Sequence, residues 1–142
     1  MICQSAAMPA AYNVCKSATA ERVFKMQNLH LERRNWQNML DHISRSQNTC
    51  KVTIEVARED LGAQKEAENA ELHGVSYDPK GSTIAIRAGA VEHMIAQPER
   101  IDIAHTGMDL ICMEIAGRDN TRHLITFVPP LHLPDLLLPI SQ

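Results

Sequence analysis

Val52-Thr53-Ile54-Glu55-Val56 alternates apolar and polar positions, the period of a strand with one buried and one wet face. A related pattern runs from Leu72 to Ile86, where Asp78-Pro79-Lys80-Gly81 separates two strand-like runs and predicts a hairpin. Asp78 suits the first position of a type I turn and Pro79 presets φ at the second. Gly81 is expected to take the positive φ of a hairpin bulge. Between about Leu31 and Ser44 the period changes: Trp36, Met39, Leu40 and Ile43 recur at spacings of three and four, while Arg33, Arg34, Gln37 and Asp41 fall elsewhere. This predicts one amphipathic helix with Trp36, the only tryptophan, as its anchor, ended by the polar run Ser46 to Thr49.

Further along come Arg87 to Val91, then His93-Met94-Ile95 closed by Gln97-Pro98, where the proline is expected to hold Gln97 extended. Ile101 to Ala104 reads as a strand and Thr106 to Asp109 as a turn. Leu110 to Ile115 and His123 to Val128 read as a hairpin around Gly117-Arg118-Asp119-Asn120. Arg58 to Glu71, charged and alanine-rich around Gly62, fits either a loop or a polar hairpin. The expected fold is therefore α+β: one N-terminal helix packed on an antiparallel sheet of about five strands that curls toward a small barrel, closed or open. Residues 1–28, with no sustained period, read as a loosely ordered tail, and 29–130 as a single domain. Residues 131–142 are a proline-broken apolar tail in which Leu131, Leu133 and Leu136 to Leu138 require burial, on the domain itself or on a second copy. Met26, just ahead of the patterned region, is a candidate initiator for a shorter native chain.

Length adds that 142 residues suffice for one domain with its own core, so neither disulfide nor metal is needed for folding. The four cysteines, Cys3, Cys15, Cys50 and Cys112, lack Cys-x-x-Cys spacing, and a reducing cytoplasm is the expected compartment. Cys112, inside Leu110-Ile111-Cys112-Met113, reads as a small buried hydrophobe. The first twenty residues lack the charged start and continuous apolar centre of a signal peptide, and no apolar run approaches the roughly 18 residues of a membrane span. Charge is uneven: residues 1–49 hold six Lys/Arg against three Asp/Glu, and 50–142 hold eight against fourteen. An acidic body without a basic face argues against nucleic acid as a partner, and the Arg33-Arg34 pair reads as a solvated helix face. Aromatic residues, at 4%, are too few for a base-stacking platform.

Trp36, the Val52 to Val56 strand, Leu61-Gly62-Ala63-Gln64, Leu72-His73-Gly74-Val75-Ser76-Tyr77-Asp78 and His93-Met94-Ile95-Ala96-Gln97-Pro98 together resemble a family of short bacterial proteins whose domain has no known function. The resemblance spans roughly Leu31 to Val128 and implies no activity, cofactor or catalytic residue.

Seven histidines make a metal centre the sharpest chemical hypothesis. His73, His93, His105 and His123 lie in or beside strands and could converge at one end of the sheet, with Asp102, Asp109 or Glu92 as carboxylate partners. The expected ligand set is His93, His105 and Asp102, holding a divalent transition metal that would activate water in a hydrolase. Against it stand the absence of His-x-His and of a Glu-bracketed histidine pair at helical spacing. Ser76 and Ser82 lack a nucleophile elbow, and Glu59-Asp60 and Glu66/Glu68 lack an apolar pocket to separate their pKa values. The primary reading is thus a non-catalytic, cytoplasmic module, monomer or homodimer, that binds a protein partner or itself through sheet edges, without catalytic residues or a bound cofactor. The metal-dependent hydrolase is the alternative, and an RNA-binding barrel is a third, weaker one.

Overall fold

The structure is a computed structural model that describes residues 26–46, 50–60 and 62–133. Eight strands form one antiparallel sheet: β1 (Gln27–Leu31), β2 (Lys51–Arg58), β3 (Gly62–Asp78), β4 (Thr83–Ala88), β5 (Val91–Ala96), β6 (Pro98–Thr106), β7 (Asp109–Gly117) and β8 (Arg122–His132). Their spatial order is β1-β6-β7-β8-β2-β3-β4-β5. Helix α1 (Trp36–Ser46), the one α-helix among the described residues, follows a short 3₁₀ turn, Arg33–Asn35. A helix on an antiparallel sheet is as the pattern predicts, but the strands number eight instead of about five, and the sheet is open. Its ends, β1 and β5, are not joined by a ladder, so there is no barrel.

Part of the larger sheet is a longer β3, in a stretch where patterning was weak. Gly62–Glu71, the undecided charged segment, is the first part of a 17-residue strand. It pairs with β2 while most of its side chains remain exposed, so no apolar alternation was there to reveal it. Past Leu72, β3 exchanges β2 for β4 as its neighbour. Asn69, at φ +55°, and the register shift between Leu72 and Gly74 mark the bend. This bend lets two arms of one sheet share a core.

Within that core stand Ile54 of β2, Ile84 and Ile86 of β4, Ile95 of β5, Ile101 and Ile103 of β6, Met113 and Ile115 of β7, and Ile125 and Phe127 of β8. The four apolar residues of α1 complete it: Trp36, Met39, Leu40 and Ile43 are at most 1% exposed. The Ser44 hydroxyl fastens the helix to β3, accepting from Val75 N at 2.8 Å and donating to Val75 O at 2.6 Å. Arg33 is no idle solvated charge. Its guanidinium lies 4.3 Å from the Trp36 ring centre and donates to the Tyr77 hydroxyl and the Pro98 carbonyl, each at 3.3 Å.

Three local expectations change. At the β3–β4 turn the positive φ belongs to Ser82 (+50°), not Gly81; a Cβ at Gly81 would meet the Asp78 side chain, Oδ2, at 3.0 Å, a tight contact that the carboxylate would have to yield to. Gln97 is left-handed (φ +55°), not extended, because its amide reaches Ser82 O (2.8 Å) while its carbonyl accepts from Arg118 N (3.1 Å). Cys112 is buried as expected but is disulfide-bonded. The proline-rich end behaves in its described part as the leucines require: β8 continues to His132, and Leu131 and Leu133 are buried in the core. Leu136 to Leu138 and residues 1–25, including most of the proposed N-terminal tail, lie outside the described residues. Among the described residues no helix is long and apolar enough to cross a membrane.

Candidate functional site

Pairing register decides which face each candidate side chain takes, because directly opposed residues in a ladder project to the same side. His93 on β5 is opposed to the fully buried Ile86. His123 on β8 is opposed to Val56 on one side and Ile115 on the other, both core residues. Both imidazoles therefore point inward from the two arms of the bent sheet. They meet there, with His93 Nε2 and His123 Nδ1 2.9 Å apart and ring centres separated by 5.0 Å at an interplanar angle of 56°. One ring nitrogen donates and the other accepts, which requires at least one neutral imidazole.

Burial is the chief cause of both rings' titration behaviour. It lowers the pKa of His93, with Glu66 of β3 pulling weakly the other way. It lowers that of His123 to about 4, helped by His93 and Arg58 and opposed by Asp119. Asp119 is itself held below the usual carboxylate range, chiefly by hydrogen bonds from Thr121, whose amide lies 3.1 Å away. At neutral pH the pair is therefore an uncharged one at the rim of an apolar core, with two carboxylates and one guanidinium near enough to bias it.

The other two residues of the expected ligand set have different surroundings. Asp102 alternates with the buried Ile101 and Ile103 and so faces outward. There it accepts from His30 Nδ1 at 3.0 Å and from Arg100 Nε at 3.1 Å. His105 is buried at the β6–β7 turn, where its Nδ1–H donates to the Gly107 carbonyl at 2.9 Å. His93 is thus brought together with His123 while Asp102 and His105 each engage other groups. Among the described residues no group of three or more His, Cys, Asp or Glu is placed to hold a metal. The signal that could have paired His123 with His93 was strand parity: His93 shares it with Ile95, and His123 with Ile125 and Phe127.

An open cleft at the start of β2 is lined by Arg45, Ser46, Cys50 and residues 129–132. Burial raises the pKa of its Cys50 thiol, which makes it a poor nucleophile at neutral pH.

The sequence profile of a family of unknown function matches residues 27–136, from the first residue of β1 to beyond the end of β8. An uncharacterised protein of Aquifex aeolicus (strain VF5) is 26% identical over 106 residues, covering 74% of this chain and 96% of that protein. No solved structure matches the chain.

Proposed function

This chain belongs to the family of unknown function DUF5335, and from that premise we propose that it is a non-catalytic protein-binding or self-associating module that docks through its β5 edge. One observation carries the reading. β5 ends the strand order with β4 as its only ladder partner among the described residues, and it carries Met94 at 55% exposure on its outer face. An unpaired edge offers backbone donors and acceptors to an incoming strand, and an adaptable methionine beside it supplies apolar contact.

The test is native mass spectrometry and sedimentation of the untagged protein over a wide concentration range, comparing wild type with Met94→Lys. Concentration-dependent dimers that Met94→Lys disperses support self-association at this edge. If both stay monomeric, self-association is lost and an outside partner is all that remains of the proposal.

A further inference from the structure

We propose that the outer face of β6, β7 and β8 is a second apolar core, covered by the chain's own residues 1–25 and tethered to them by a disulfide from Cys112 to Cys3 or Cys15. The pairing register defines this face. Ile103 opposes Met113 on the side of the main core, so the next pair along, Ala104 opposite Cys112, projects to the other side, with Thr126 of β8 beyond it. Glu114 and Leu124, opposed to each other, share that side. Helix α1 packs into the main core and so leaves this face to other residues. Yet Ala104 and Cys112 are fully buried, and even the carboxylate residue Glu114 is only 6% exposed. A sheet face open to water carries exposed side chains, so this one has a cover.

Two observations name the occupant. Ala104, Ile111, Cys112 and Leu124 form a cluster of their own, and the partly buried hydrophobe packed against it is Met26, the first described residue. Residues 1–25 therefore enter the fold at this cluster. Cys112, in the middle of the face, is disulfide-bonded, whereas Cys50 is free. Of the four cysteines only Cys3 and Cys15 are left to bond it, and both belong to that segment. Each follows an apolar residue, Ile2 before Cys3 and Val14 before Cys15. Reach is no obstacle, since the chain from Cys15 to Met26 extends up to about 36 Å at roughly 3.3 Å per residue. Thiol–disulfide exchange with a small-molecule disulfide makes the bond: two cysteine thiols join, the S–S bond of the oxidant breaks, and it leaves as two thiols with both protons. None of this depends on docking at the β5 edge.

The experiment uses the untagged full chain, equilibrated in a glutathione redox buffer, quenched with N-ethylmaleimide in urea and weighed by mass spectrometry without reduction. The expected result is a chain carrying two maleimide groups on its four cysteines, and a tryptic peptide pair that joins Cys112 to Cys3 or Cys15. Alkylated Cys112, or Cys112 joined to Cys50 or to a second chain, would overturn the tether. Trypsin on the folded protein then tests the cover: cleavage at Lys16, Arg22 and Lys25 is expected to be at least fivefold slower in oxidised wild type than in Cys112→Ala. Equal rates would remove the cover even with the disulfide in place. If circular dichroism shows that Cys112→Ala has not folded, reduced wild type takes its place in the comparison, with the same two outcomes.

Discussion

His93 with His123, and His30 with Asp102, are both histidine pairs formed between strands, yet they have opposite characters. The first lies on the inner face at the rim of the core, where desolvation suppresses charge on both rings. The second lies on the outer face, where His30 and Asp102 stand directly opposite each other on β1 and β6 and the His30 side chain is 56% exposed. Residue type does not distinguish them. The inner rings are governed by the core around them, whereas in the outer pair a largely solvated His30 stands beside an Asp102 only 17% exposed, so chemistry that needs a neutral, pre-positioned imidazole belongs to the former.

The strongest way to break this contrast is to remove the packing behind the inner pair. Ile95→Ala, next to His93 on the same face and 1% exposed, is expected to cost about 2–5 kcal/mol of stability in urea denaturation, as for other large-to-small core substitutions. A cost near zero would mean that β5 does not hold the inner face as described.

Acid should separate the pairs next. Because His123 titrates near 4 when folded and near 6.5 when exposed, the unfolded chain binds more protons between those values. The contribution of this ring is therefore full above about pH 6.5 and declines as the pH falls toward about 4. The urea midpoint should drop over this window in wild type and follow a flatter profile in His123→Gln. Identical profiles would show that the ring is not desolvated.

The smallest effect belongs to the outer pair. A double-mutant cycle on His30→Ala and Asp102→Ala should return a coupling of about 0.2–1 kcal/mol, the range of a hydrogen-bonded pair with one partner largely in solvent. A coupling several times larger would make this pair a structural element in its own right.

Much of the scaffold was legible in the chain. The 3–4 spacing of Trp36, Met39, Leu40 and Ile43 predicted the helix and its buried face, and all four are core residues. The Val52 to Val56 alternation and the Asp78-Pro79 turn likewise predicted β2 and the β3–β4 hairpin. What escaped were elements whose stability comes from neighbours instead of their own pattern. The exposed half of β3 is held by its ladder to β2 and needed no apolar face of its own, and β1 is a five-residue strand whose only apolar signal is Leu29 and Leu31, held by five pairings to β6.

The candidate site divides along the same line. Composition and strand placement were enough to single out His93 and to name His123 among the histidines able to converge. Parity in the sequence was enough to set Asp102, between two buried isoleucines, on the opposite face from His93. Local sequence thus determined which side of a strand each residue occupies, because the period of two is a property of the extended backbone. Which strands lie across from each other was decided only by the tertiary structure. It is the bend of β3, together with the turn through Gln97, that brings β5 over β8 and sets two imidazoles thirty positions apart within hydrogen-bonding distance.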